Sequence, residues 1–256
     1  MEETVEYADL LRLMDERSAA FQAAVAGAPS LDVQVPTCPE WTLFDLVQHL
    51  GQGRHQWAAT VAAGPADGPA PVSVPPVPQD REDLISWYAA SARELLDALR
   101  AAGPDRACWT WWGASQSPQT SRSVARHQLQ QFAVHAYDAQ VTVGAPQPLP
   151  TEVALDGVDE FLTTCCATTG RWPHKPAVVD YHATEGRSWR VRLSEDGALA
   201  ARLPSGEEGV EAADVAAWGT ANELVMFFYG RIPAEALRVE GDAGIFDQLF
   251  AWEPEV

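Results

Sequence analysis

The chain carries a single lysine, Lys175, and few basic residues of any kind: 17 Lys and Arg stand against 36 Asp and Glu, a formal net charge of −19. That balance excludes nucleic acid and anionic membrane surfaces as partners, since both would repel it. One lysine leaves no basis for Schiff-base chemistry or for a phosphate-cradling lysine loop. No Gly-x-Gly-x-x-Gly fingerprint and no nucleophile elbow occur, which removes the dinucleotide, kinase and esterase-like readings. Cysteine is sparse: Cys38, Cys108, Cys165 and Cys166, two of them adjacent and none in a Cys-x-x-Cys pair. The spacing therefore predicts neither a disulfide scaffold nor a cysteine zinc site. No uncharged apolar run approaches the ~18 residues of a membrane span, and no basic, apolar leader opens the chain. The expectation is a cytosolic protein.

What is present is an ordinary globular composition, 46% hydrophobic and 21% charged over 256 residues, enough for one large or two ordinary domains. Leu10, Leu11, Met14, Phe21 and Val25 recur at helical spacing over Val5–Val25. Thr42, with Asp45 three residues on, predicts a capped helix from Thr42 to about Ala63. Six prolines between Gly64 and Gln79 force an extended loop. A third helix is predicted over Asp80–Ala102, stopped by Gly103-Pro104, and a fourth over Ser121–Val141. Four helices with one long proline-rich crossover read as a four-helix bundle.

Gly144 to Pro150, with three prolines in seven residues, reads as a linker. Beyond it the pattern predicts a helix over Thr151–Thr164, strands over Pro176–Ala183 and Ser188–Leu193, and an Asp196-Gly197 hairpin into Ala198–Leu203. A strand near Gly209–Ala212, a helix over Asp214–Phe228, a short helix over Pro233–Leu237 and a last helix complete it. The predicted organisation is α+β: a bundle domain over residues 1–143 that carries the site, and a small α+β domain over residues 151–256.

The chemistry-bearing feature is a pair of histidines on separate predicted helices, His49 and His135. Gln131 lies four residues before His135 and so shares its helix face. If the helices pack together, His49, Gln131 and His135 converge as inward-pointing ligands do in metal-binding bundles. Against this stands the ordinary reading of each histidine as a hydrogen-bonded core residue. His127 flanks the site, His55 points away from it, and His174 and His182 fall in the second domain. Asp138 is either a partner for His135 or a helix-surface charge. Arg81, at the entry of the third helix, is either a carboxylate clamp or a plain surface arginine. Trp109, Trp111 and Trp112 form either core or one wall of a cleft.

The segment Val35-Pro36-Thr37-Cys38-Pro39-Glu40-Trp41-Thr42, continued by Asp45-Leu46-Val47-Gln48-His49-Leu50-Gly51, resembles the opening signature of the mycothiol-dependent maleylpyruvate isomerase family. Val134-His135-Ala136-Tyr137-Asp138-Ala139-Gln140 is similar to that family's second signature. Leu224–Gly230, Arg231-Ile232-Pro233 and Val239-Glu240-Gly241-Asp242 resemble the end of its second domain. The resemblance implies a DinB-like four-helix bundle followed by a small α/β domain. It further implies a zinc ion held by His49, Gln131 and His135, the thiol cosubstrate mycothiol, and an arginine, Arg81, that serves activity. Gln131 stands where the family has glutamate, and a neutral amide is a weaker zinc ligand than a carboxylate.

Three readings follow. In the first, the protein is a zinc-dependent, mycothiol-using isomerase or S-transferase acting on a small conjugated electrophile, with Arg81 steadying its carboxylate or carbonyl. In the second, it is a metal-free binding or regulatory protein. In the third, His49 and His135 act as proton carriers without a metal. The sequence names neither the substrate nor the oligomeric state.

Overall fold

The computed structural model describes residues 5–204 and 212–252. The chain divides into two units, Met1–Trp111 with Gln119–Leu149, and Trp112–Pro118 with Pro150–Val256.

The first unit holds four long helices, α1 (Tyr7–Gly27), α2 (Leu43–Ala63), α3 (Arg81–Ala102) and α4 (Ser121–Thr142), with a short antiparallel pair, β1 (Gln34–Val35) and β2 (Cys38–Thr42), between α1 and α2. Local chemistry fixes the ends of α2. Thr42 Oγ1 accepts from the Asp45 backbone N–H at 3.2 Å, and Asp45 Oδ2 accepts from the Thr42 N–H at 2.9 Å, closing a capping box. Gly64, at φ 82°, ends the helix in a conformation that disfavours any side chain. Asp80 caps α3 by accepting from Glu82 N–H at 2.9 Å, and Gly103 ends it at φ 71°. The six-proline stretch between α2 and α3 has neither helix nor strand.

The helices pack in pairs, α1 along α4 and α2 along α3. Leu43, Leu46, Val47 and Leu50 of α2 bury against Leu84, Trp87 and Tyr88 of α3 and Phe21 and Val25 of α1. Each fully buried aliphatic or aromatic side chain contributes about 1.5–3 kcal/mol from area alone. Gly51 is required by this packing: a Cβ there would stand 2.0 Å from Trp87 Cζ3. The rings of Phe21 and Tyr88 stack at 4.6 Å. Arg54, fully buried on α2, lies between the Tyr88 and Phe132 rings at 4.0 and 3.6 Å and donates to Tyr88 Oη at 2.6 Å.

The second unit is a five-stranded mixed sheet in the order β5-β4-β3-β6-β7. Its strands are β3 (Ala177–Ala183), β4 (Ser188–Ser194), β5 (Gly197–Leu203), β6 (Val215–Gly219) and β7 (Arg238–Gly241), with β3 and β6 parallel and the other neighbours antiparallel. Helices α5 (Thr151–Glu160), α6 (Ala221–Phe228) and α7 (Gly244–Ala251) accompany it. Register places Asp180 opposite Arg190, and the two form a buried bidentate pair at 2.7 and 2.7 Å. The Asp196-Gly197 hairpin forms where expected, with Gly197 at φ 111°.

The predicted architecture, a helical bundle followed by a smaller mixed unit, is the observed one, with local departures. The stretch before α2, for which no strand was predicted, contains the β1–β2 pair. The predicted helix over Asp214–Phe228 is two elements: Val215–Gly219 is a sheet strand, and a Thr220–Glu223 capping box starts α6 afresh. The predicted Thr151–Thr164 helix widens into a π-helical turn at Phe161–Cys166. The expected strand near Gly209–Ala212 lies outside the described residues over 209–211. Among the described residues no helix is long and apolar enough to cross a membrane.

Candidate functional site

The site is assembled where the β1–β2 turn meets α2 and α4. Val35 pairs with Cys38, so Pro36 and Thr37 form a tight turn, and the turn brings Thr37 and Cys38 against Asp138 of α4. Asp138 is 0% exposed. Its carboxylate accepts from Thr37 Oγ1 at 2.6 Å, from His135 Nδ1 at 2.8 Å and from Cys38 Sγ at 3.8 Å. A carboxylate can only accept, so this contact places a proton on His135 Nδ1, and in the neutral ring the lone pair is on Nε2. This carboxylate–histidine arrangement is the one that orients and strengthens imidazole ligands in metal sites.

His49 reaches the same place from α2. Its ring centroid is 5.6 Å from that of His135, edge-on at 76°. Trp41, from β2, covers the pair at 4.6 Å from His49 and 6.3 Å from His135. His49 is exposed, and partial desolvation, the neighbouring His135 and the Arg54 cation together push its pKa down, at most to about 4. At neutral pH His49 is therefore an uncharged imidazole with a lone pair.

Gln131 lies one turn before His135 on α4 and is half-buried. Arg81 is placed differently from the histidines. Its Nη1 donates to Ala26 O at 3.2 Å and to Ala28 O, tying the entry of α3 to the carbonyls at the end of α1. It lines an open cavity with Thr42, Asp45 and Asp80. His55 contacts Glu94 Oε2 through Nδ1 at 2.6 Å, and its ring lies 5.6 Å from Trp87. His127 sits among Trp57 and Trp111 at 6.5 and 5.5 Å. In the second unit His182 contacts Ser188 Oγ and stacks on Trp218, while His174 lies against Trp172.

Sequence reasoning found the two histidines and weighed Asp138, but gave no role to Thr37, Cys38, Trp41 or Arg54. Arg54 had a signal: with Leu46, Leu50 and Ala58 it continues a four-residue stripe, a charge on an apolar face. The joining of Cys38 to Asp138, 100 residues apart, had none.

The two imidazoles suit a borderline divalent cation such as zinc. Gln131, the third residue of the expected set, brings a neutral amide, so that set carries no negative charge. Its fit to a metal rests on the histidines alone.

A helical bundle carrying a histidine pair on facing helices, followed by a small mixed-sheet domain, defines a recognisable class. Residues 11–140 match the mycothiol maleylpyruvate isomerase N-terminal domain and residues 152–248 match the C-terminal domain of the same family. The chain belongs to the mycothiol-dependent maleylpyruvate isomerase family. Crystal structures of the mycothiol-dependent maleylpyruvate isomerase and of a histidine-to-alanine variant of it share the fold, at TM-scores of 0.60 and 0.59. Each is 13% identical, and the match covers 93% of this chain and 95% of theirs. No curated protein matches the chain in sequence.

Proposed function

We propose that the protein is a thiol-dependent enzyme that uses mycothiol to isomerise, or to form a thiol adduct with, a small conjugated electrophile bearing a carboxylate or carbonyl. The observation that carries this reading is the His49–His135 pair, with Asp138 holding His135 in the tautomer that leaves Nε2 open. Sulfur adds to one carbon of the conjugated double bond, and the electron pair moves onto the carbonyl oxygen. Rotation about the resulting single bond and loss of the same sulfur give the isomer; protonation of the adduct gives the conjugate instead.

The magnitudes separate the roles open to His49. A free thiol has a pKa of about 8.5, while His49 is held at about 4. Because His49 is exposed, its depression is an upper bound, and transfer of the thiol proton to it is uphill by roughly two to four powers of ten. His49 is a poor base for this thiol and a good lone-pair donor, which favours a metal-assisted site over the metal-free acid–base reading. His49 and His135 would hold the zinc through ring nitrogens, and zinc bound there would keep the cofactor sulfur as thiolate at neutral pH. Trp41 shields one side of the pair from water. Arg81 is proposed to steady the substrate's carboxylate, its contacts to the end of α1 fixing it at the lip of the cavity beside Asp80.

Gln131 is the observation that favours a metal-free binding protein instead. Elemental analysis of the purified protein, with mycothiol and maleylpyruvate as first thiol and first substrate, decides between them. Zinc near stoichiometric amounts and thiol-dependent conversion of the substrate, to its geometric isomer or to a thiol adduct, both lost in His135→Ala, support the enzyme. Tight zinc binding that appears only in Gln131→Glu, with no thiol-dependent turnover in the parent, refutes it.

A further inference from the structure

His135 has a second polar neighbourhood, on the Nδ1 side of its ring. Cys38 Sγ lies 3.8 Å and His135 Nδ1 2.8 Å from the same oxygen, Asp138 Oδ2. One ligand atom from each of Cys38, His135 and Asp138 lies within 4.8 Å of the other two. Around a tetrahedral zinc, with bonds of about 2.0–2.3 Å, donor atoms stand roughly 3.3–3.6 Å apart. The two separations to Asp138 Oδ2, 2.8 and 3.8 Å, bracket that range, and the third is no more than 4.8 Å, so shifts of about one ångström or less convert the hydrogen-bonded cluster into a ligand set. Two of the donors stand on regular elements, His135 and Asp138 on α4, and the third opens β2. Asp138 and His135 are buried and Cys38 is half-buried, which leaves an open side for a further ligand.

Charge points the same way. The His49, Gln131 and His135 set carries no negative charge. Cys38 as thiolate and Asp138 as carboxylate carry two, matching a divalent cation, and thiolate is the donor that zinc and softer metals favour.

We propose that Cys38, His135 and Asp138 form a metal site in this chain, taking zinc or a softer divalent cation. The inference rests on the reading that this pocket is metal-dependent and changes which residues hold the metal. Binding displaces the Cys38 thiol proton to solvent and transfers the His135 ring proton from Nδ1 to Nε2. The Nε2 lone pair is then no longer free for a second metal bond, so the two donor sets are alternatives that share one imidazole.

Cobalt(II) added to the metal-free full-length protein reads the donor set directly, because thiolate ligation produces an intense near-ultraviolet charge-transfer band. The expected result is such a band, saturating at one cobalt per chain and absent in Cys38→Ser. Cobalt affinity in that variant should fall at least about tenfold, and the band should persist in His49→Ala. The wild-type band needs no variant to be seen, and circular dichroism confirms that Cys38→Ser is folded. A band retained in Cys38→Ser would place the thiolate at another cysteine and overturn the proposal. Cobalt bound without a band, and lost in His49→Ala, would also overturn it while preserving the metal-dependent reading. No cobalt or zinc bound by the wild-type protein would overturn both.

Discussion

Replacing Asp138 by asparagine tests the hub of the site with almost no change of shape. The carboxylate accepts from two strong donors, Thr37 Oγ1 at 2.6 Å and His135 Nδ1 at 2.8 Å, and more weakly from Cys38 Sγ at 3.8 Å. Asparagine keeps one acceptor oxygen and turns an N–H₂ group toward the remaining donors. At least one strong hydrogen bond is lost, and a donor is left facing a donor in a position that is 0% exposed. A hydrogen bond to a charged group contributes about 1.5–3 kcal/mol, and a buried donor left unmatched costs about 1–3 kcal/mol. Since thiol and hydroxyl can rotate away, the two terms do not add in full, and the expected loss is about 2–4 kcal/mol. Urea denaturation of the metal-free proteins, followed by circular dichroism, measures it. Nitrogen-15 spectra of the His135 ring should show the proton leaving its fixed Nδ1 position. A loss below about 0.5 kcal/mol, with the ring tautomer unchanged, would refute the reasoning that Asp138 organises the site.

Other perturbations address the packing and electrostatics around it. Gly51→Ala puts a methyl into the Trp87 ring at 2.0 Å and should cost about 1–3 kcal/mol by overpacking, measured by the same denaturation; a neutral effect would mean the two helices are not in close contact there. In the metal-free protein His49 should titrate near 4, below the ~6.5 of an unfolded chain. Its folded pKa is depressed, so the stability tied to the neutral ring is complete above about pH 6.5 and drains away as pH falls toward 4; a proton-NMR midpoint near 6.5 would contradict the desolvated placement. Asp180→Ala removes the bidentate partner of Arg190, 6% exposed, and should destabilise the second unit by about 2–4 kcal/mol, whereas replacing both residues by apolar ones should recover much of that loss.

The four long helices were legible because their ends are written locally. Thr42 with Asp45, Asp80, Gly64 and Gly103 each act within one turn of the boundary they set. Strand β6 was read as helix because Val215-Ala216-Ala217-Trp218 has no strong alternation, and its state is decided by parallel pairing with β3, more than thirty residues earlier. The β1–β2 pair was invisible for a similar reason: it is short, with Pro36 in its turn and Pro39 inside β2. In the site, the histidines stood out as polar residues on apolar helices. Cys38 did not, because its significance lies in a carboxylate 100 positions away that no periodicity connects to it.

That separation bears on synthesis. Thr37 and Asp138 are 101 residues apart, and the pocket closes only when both ends of that loop are held together. Loop closure itself grows slowly with length, about 0.6 kcal/mol per doubling, so distance is a small energetic burden but a strict matter of timing. A chain emerging from the ribosome exposes His49, Trp41 and Cys38 well before α4 exists to meet them. Until residue 138 is out, the thiol has no carboxylate neighbour and His49 no second imidazole, so a metal ion finds only isolated, weak donors. Under the proposed reading, capture of a metal or a thiol at this site would therefore follow the pairing of the β1–β2 turn with α4 and could not precede it.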